Sequence, residues 1–158
     1  MEFSIELDGW KANIRFSSSH IIPKHKKCGH LHGHTYALHA KVCGKLDENG
    51  MIIDFSELKS VLREIADKLD HKILIPEKSP GIDRDKSEIR FVANDKNYVF
   101  PQEDCVFLPI KSTTAELLAE YVMKELLKKM KLSKTVSKVI IGVDEGVGQG
   151  ARVEKIIK

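Results

Sequence analysis

Short stretches with a two-residue hydrophobic period alternate along this chain with stretches of helical period. Apolar side chains alternate from Phe3 to Leu7 and from Trp10 to Phe16, which predicts two strands or one bulged strand. The intervening Asp8-Gly9 pair is typical of a turn. Alternation returns from Tyr36 to Leu46, and the following Asn49-Gly50 pair predicts a hairpin that leads into a further strand at residues 51–53.

Two segments carry the period of a helix. Asp54-Phe55-Ser56-Glu57 resembles a capping box, and apolar residues then recur at helical spacing as far as Leu69. A second helix is predicted to begin near residues 112–114 and to continue to Leu127. The charged segment 77–104 between them predicts an inserted hairpin, and two strands are expected at residues 136–143 and 151–157.

These elements predict a single α+β domain over residues 1–158, in which an antiparallel sheet carries two helices on one face. A chain of 158 residues is long enough to bury its own core without disulfides. A small sheet covered on one face also invites association with further copies of the chain, so a homo-oligomer with inter-subunit active sites is expected.

Composition narrows the possible partners. The net charge of +3 comes from 26 basic and 23 acidic residues, a balance that argues against a nucleic-acid partner. No apolar run reaches the roughly 20 residues of a membrane span, and the first residues lack the pattern of a signal peptide. With three cysteines, an odd number, we expect reduced thiols and a cytoplasmic protein.

The densest chemistry lies in the run from Cys28 to His34, which holds one thiol and three imidazoles. In a strand, His32 and His34 project to the same side, and His20 can reach them from a neighbouring strand. Three imidazoles can hold Zn²⁺ and leave a fourth position open, as in a catalytic site. The alternatives are clustered surface histidines, or a structural zinc site with Cys28 as the fourth ligand. His25, His30 and His39 are interpreted as ordinary polar residues.

Three further features suggest acid–base chemistry and substrate binding. A thiol at Cys28 beside a dication would have a lowered pKa and could act as a base or nucleophile; otherwise it is a small buried residue. Asp70-His71 at the end of a helix can relay a proton, or can merely favour the helix dipole. Glu145, at the end of an apolar strand, can accept paired N–H donors from a guanidine-like edge, unless it is simply solvated.

Together these motifs resemble the 6-pyruvoyltetrahydropterin synthase and 6-carboxytetrahydropterin synthase superfamily, which has the tunnelling fold. The resemblance is collinear over most of the chain and rests on the following segments in order: Phe16-x-x-x-His20, Cys28-x-x-x-His32-Gly33-His34, residues 50–55, Asp70-His71, Thr114-Ala115-Glu116 and Glu145. The three residues between the cysteine and His-Gly-His resemble the 6-carboxytetrahydropterin synthases of deazapurine biosynthesis.

The resemblance implies a role for each motif. His20, His32 and His34 would bind Zn²⁺, Cys28, Asp70 and His71 would handle protons, and Glu145 and Thr114 would contact the pterin. It also implies a homohexamer built from two trimers. The implied enzyme is a lyase that converts 7,8-dihydroneopterin triphosphate to 6-carboxy-5,6,7,8-tetrahydropterin, acetaldehyde and triphosphate. The alternatives are the pyruvoyl-type elimination or another side-chain cleavage, and a zinc-stabilised oligomeric binding protein.

Overall fold

The computed structural model describes residues 1–157 and consists of two sheets and two α-helices. No helix in this range is both long and apolar enough to cross a membrane. A short 3₁₀ turn lies at Gln102–Asp104. The elements in chain order are β1 (Phe3–Leu7), β2 (Arg15–His20), β3 (His32–Gly44), α1 (Phe55–Leu69), β4 (Lys72–Pro76), β5 (Ile82–Arg84), β6 (Glu88–Ala93), β7 (Lys96–Pro101), β8 (Cys105–Leu108), α2 (Ala115–Lys129), β9 (Val136–Glu145) and β10 (Gly150–Ile156).

The long strand β3 organises the larger sheet, whose order is β10-β9-β3-β2-β4-β8. β9 pairs antiparallel with one edge of β3, while β1 and β2 both pair antiparallel with the other edge. β1 and β2 therefore lie along the same edge of β3, and Asp8-Gly9 does not join a hairpin. The strand predicted from Trp10 to Phe16 is wrong over residues 10–14, which form a loop of turns, and β2 begins only at Arg15. Residues 8–14 loop out between β1 and β2 and return where Leu38 N–H donates to the Ile14 carbonyl.

Both predicted helices are present, and they pack on the same face of the sheet. The Asp54 carboxylate caps α1 by accepting from the Ser56 N–H at 2.7 Å, and the Thr114 hydroxyl caps α2 by accepting from the Leu117 N–H at 3.5 Å. The two helices contact each other and strands β2, β9 and β10. Their apolar faces and the inner face of the sheet enclose the main core. The α+β class, with helices on one face, is thereby confirmed.

The inserted segment forms a second, three-stranded sheet of order β5-β6-β7. The predicted hairpin is β6–β7, which turns at Asn94 and Asp95, and β5 adds a third strand to it. Its apolar residues have a core of their own, which also includes a residue after β2 and one from β4. That core consists of Ile21, Ile75, Ile89, Phe91, Ala93 and Phe100.

Two details differ from the sequence expectation. Strands β4 and β8 extend the main sheet beyond β2 in parallel orientation, whereas an antiparallel sheet was expected. The chain reaches β4 through α1, and it passes from β4 to β8 through the inserted sheet. The strand predicted at residues 51–53 is wrong. There the chain bends, and the Asp47 N–H donates to the Met51 carbonyl at 2.8 Å, so the Asn49-Gly50 signal makes a local turn rather than a hairpin between strands.

Candidate metal centre and active site

Strand pairing brings three histidines together at one end of the main sheet. His20 and His32 are direct partners in the antiparallel pairing of β2 with β3, and His34 lies two residues further along the same face. The possible ligand atoms of the three side chains all lie within 4.8 Å of one another. The Nε2 atoms of His20 and His32 are 3.0 Å apart. Local strand alternation therefore produces the predicted cluster.

Hydrogen bonds on the far side of the rings determine where the free lone pairs lie. Nδ1 of His20 lies 2.9 Å from the carbonyl oxygen of Thr113, and Nδ1 of His32 lies 2.7 Å from that of His30. A carbonyl oxygen only accepts, so both Nδ1 atoms carry the proton and both Nε2 lone pairs face the centre. Nε2 of His34 is buried and has no hydrogen-bond partner within residues 1–157. Two lone pairs and the unpartnered Nε2 of His34 thus lie together, which fits a bound cation.

Electrostatics favour the neutral, ligating form of these histidines. Burial, followed by the neighbouring His32, lowers the pKa of His20 to about 4, despite the opposing hydrogen bond to Thr113. Burial and then His32 also lower the pKa of His34. Both imidazoles are therefore neutral at pH 7, the form that binds zinc.

Glu145 and Tyr36 lie beside this cluster. Glu145 pairs with Tyr36 between β9 and β3, and its Oε1 is buried without a hydrogen-bond partner in the described chain. Burial raises the pKa of Glu145; His32 opposes this rise, and Glu116 adds to it. Glu145, Glu116 and Thr114 line a cavity of about 270 Å³. An unpaired carboxylate oxygen in a concave site can accept N–H donors of a ligand.

Cys28 lies in a loop outside the histidine cluster. Its thiol is half-buried, and the group of residues able to share a metal within residues 1–157 contains the three histidines without it. The Cys28 N–H donates to Nδ1 of His25 at 2.9 Å, and its carbonyl accepts from the Ile22 N–H at 2.8 Å. His25, which the sequence suggested was an ordinary polar residue, therefore holds the backbone of Cys28.

Asp70 and His71 follow α1 and form the expected pair. One Asp70 oxygen accepts from the Ser17 N–H at 2.7 Å, and the other lies 2.8 Å from Nδ1 of His71. The Ser17 N–H, and then His71, lower the pKa of Asp70 against the opposing effect of burial. The His71 side chain is 85% exposed. With His34 it lines a cavity of about 590 Å³ at the β2–β4 edge, and no hydrogen bond within residues 1–157 joins the pair to the three histidines.

His39 has the opposite strand parity to His34 and lies on the other face of the sheet. Its Nε2 lies 2.9 Å from an Asp144 oxygen in an ion-pair contact without hydrogen-bond geometry. Asp144 accepts hydrogen bonds from Trp10 Nε1 at 2.9 Å and from Arg152 Nη1 at 2.7 Å. This network was not expected from the sequence. Its members are far apart in the chain, and only the pairing of β3, β9 and β10 brings them together.

Solved structures have the same fold. The crystal structure of 6-pyruvoyl tetrahydropterin synthase from Plasmodium vivax superposes with a TM-score of 0.91 over 99% of each chain, at 27% sequence identity. The chain thus has the fold of a solved pterin synthase. The profile of the 6-pyruvoyl tetrahydropterin synthase family matches residues 10–155, and the chain belongs to that family.

Two curated relatives that match over most of the chain carry the name of one branch. A protein of Methanocaldococcus jannaschii, provisionally named a 6-carboxy-5,6,7,8-tetrahydropterin synthase, is 37% identical over 98% of each chain. The 6-carboxy-5,6,7,8-tetrahydropterin synthase of Aquifex aeolicus is 31% identical over 77% of this chain and 72% of its own. The expected superfamily is confirmed.

Proposed function

We propose that this chain is a zinc-dependent 6-carboxy-5,6,7,8-tetrahydropterin synthase, a lyase acting on 7,8-dihydroneopterin triphosphate to give the carboxypterin, acetaldehyde and triphosphate. The observation that carries the proposal is the convergence of three imidazoles whose Nε2 atoms are free for a metal, next to a buried carboxylate with an unpaired oxygen. The names of the relatives support the carboxy branch. We assign the product to deazapurine biosynthesis in the cytoplasm.

His20, His32 and His34 would hold the ion through Nε2, with the fourth position open. Zinc bound there supplies a Lewis acid that polarises the hydroxyl groups of the substrate side chain. Cys28 removes a proton from that side chain as general base. Glu145 accepts two N–H donors from the guanidine-like edge of the pterin, and so gives its unpaired oxygen a partner.

The Asp70–His71 pair moves the second proton. Asp70 holds Nδ1 of His71, which leaves Nε2 as the atom that exchanges the proton. Because the His71 side chain is 85% exposed and lines an open cavity together with His34, we infer that another subunit of a homohexamer completes the active site that it serves.

The 6-pyruvoyl activity is the second candidate, because the fold superposes on a solved synthase of that name. Incubation of zinc-loaded protein with 7,8-dihydroneopterin triphosphate, followed by mass analysis of products and an acetaldehyde assay, separates the two. Acetaldehyde with a carboxypterin supports the proposal. A pyruvoyl product assigns the second activity, and no turnover contradicts both.

The variant Cys28→Ala tests the role of the thiol, with Cys43→Ala on β3 as the matched control. Loss of a general base should reduce turnover by about 10²–10⁴-fold while zinc content is retained. The control should keep both. If Cys28→Ala instead loses its zinc, the thiol is a ligand, and a zinc-stabilised binding protein is the better interpretation.

A further inference from the structure

The loop that carries Cys28 folds back on itself. Its two ends are joined where the Ile22 N–H donates to the Cys28 carbonyl at 2.8 Å. Within it, the Gly29 N–H donates to the His25 carbonyl at 2.9 Å, and Lys24 has a left-handed backbone with φ of 66°. A loop with a strained residue that is not glycine is held in one conformation more firmly when outside contacts support it.

Those contacts come from the tip of the inserted hairpin. Oδ1 of Asn94 accepts from the Lys24 N–H at 2.8 Å, and Nδ2 of Asn94 donates to the His25 carbonyl at 3.4 Å. One side-chain amide thus bridges two consecutive residues of the loop. Nζ of Lys96, on β7, lies 2.7 Å from Nδ1 of His30, just beyond Cys28.

The approach of the hairpin to the loop is close enough to require glycine. A Cβ atom built on Gly29, which follows Cys28 directly, would lie 1.6 Å from Nδ2 of Asn94 and 2.5 Å from the His25 carbonyl oxygen. On the other side of the loop, Ile21 is buried in the core of the inserted sheet. The loop is therefore supported at both ends by the same insertion.

We propose that the inserted sheet holds the Cys28 loop in place, and that Asn94 is a positioning residue for the Cys28 thiol; its effect on turnover rests on the proposed role of Cys28 as the base. A general base must be held within hydrogen-bond reach of the proton that it removes, so a loop that samples other conformations spends less time in the productive one. Asn94 acts through the loop backbone and touches neither the histidine cluster nor the substrate pocket.

The test removes the side chain of Asn94 without straining the turn. Asn94 and Asp95 both have positive φ, 51° and 60°, so Asn94→Gly preserves the turn, and Asp95→Gly makes the same change one residue away from the contact. Asn94→Asp keeps the oxygen that accepts from Lys24 and is the conservative variant.

Three quantities are measured on the zinc-loaded full chain: amide exchange of residues 22–30, the alkylation rate of Cys28 resolved by peptide mass analysis, and kcat and KM. In Asn94→Gly, loss of the clamp should raise exchange and alkylation about three- to tenfold and lower kcat by a similar factor with KM unchanged. Asp95→Gly should behave as the parent protein, and Asn94→Asp should recover only part of the loss, because its second oxygen cannot donate to the His25 carbonyl.

The outcomes separate this proposal from the proposed function. Exchange and alkylation need no turnover, so if the parent protein does not turn over the pterin, these two rates still decide whether Asn94 positions the thiol. Equal exchange in Asn94→Gly and Asp95→Gly overturns the proposal. A second outcome also overturns the proposal: exchange becomes faster while the alkylation rate stays unchanged and, where the parent protein is active, kcat stays unchanged as well. The contact would then support the loop without positioning Cys28.

Discussion

Replacing Glu145 by glutamine is expected to stabilise the free protein and to impair its activity. Oε1 of Glu145 is buried without a partner in the described chain, and burial raises the pKa of this carboxyl above its ordinary value of 4.5. A buried polar atom left unpaired costs about 1–3 kcal/mol. Glu145→Gln removes the charge at nearly constant shape, so we expect a gain of about 1 kcal/mol and a rise in Tm of about 2–4 °C.

The gain should depend on pH in a defined direction. Because the folded-state pKa of Glu145 is raised, the folded protein holds the proton more firmly than the unfolded chain, and the cost of the charge appears as pH rises through that pKa. The advantage of Glu145→Gln should therefore be full at pH 8 and fade toward pH 4. Meanwhile kcat/KM for the pterin should fall at least tenfold, since a hydrogen bond to a charged group is worth about 1.5–3 kcal/mol.

Thermal and urea unfolding at pH 4, 6 and 8, together with steady-state kinetics, measure both effects. Glu57→Gln is the matched control, because Glu57 is exposed in the first turn of α1 and does not line the cavity that contains Glu145. Losing its favourable interaction with the helix dipole should cost about 0.3–1 kcal/mol, the opposite sign. Two results would refute the reasoning. One is a Glu145→Gln variant that is less stable than the parent protein at pH 8, and the other is a stability gain that is equal at pH 4 and pH 8.

Three further predictions concern the metal, the opposite sheet face and the second core. His34→Ala removes one of three nitrogen ligands, so zinc retained after dialysis should fall well below one ion per chain; full retention would contradict the assigned site. Asp144→Asn should cost about 1.5–3 kcal/mol in urea unfolding at pH 7. Burial raises the pKa of Asp144, but hydrogen bonds from Arg152 and Trp10 outweigh burial, so the pKa is lowered in the folded state. The stability difference should therefore shrink as pH falls below about 4. A difference that stays constant with pH would contradict this prediction. Phe91 is buried, so Phe91→Ala should lower the free energy of unfolding by about 3–5 kcal/mol in thermal unfolding. An unchanged stability would show that Phe91 is not a core residue.

The parts of the site that depend on local periodicity could be predicted from the sequence. Side chains alternate along any strand, so the shared face of His32 and His34 and the opposite direction of His39 follow from spacing alone. Helix boundaries could be predicted equally well, because Asp54 and Thr114 are capping residues directly before periodic apolar stretches.

The parts that depend on distant partners could not be predicted. Asn94 contacts Lys24 across 70 positions of sequence, and no local pattern indicates that pairing. The parallel strands β4 and β8 are short apolar segments, and such segments carry no information about which strand they join. The Asn49-Gly50 pair correctly predicts a turn, but the prediction that this turn joins two strands is wrong. Hydrogen bonds to the Asp47 side chain stabilise the turn locally, so it needs no flanking strands.

Two consecutive carboxylates at the end of β9 show how the fold serves the site. Asp144 and Glu145 point to opposite faces of the sheet, and their environments shift their pKa values in opposite directions. Asp144 accepts from Trp10 and Arg152 and ties the loop of residues 8–14 and β10 to the end of β9. Glu145 has an oxygen without a partner within residues 1–157. Asp144, which is fully paired, fixes the backbone from which Glu145 projects. The stability supplied by Asp144 on one face of the sheet therefore lets the other face hold the Glu145 carboxylate ready for a ligand.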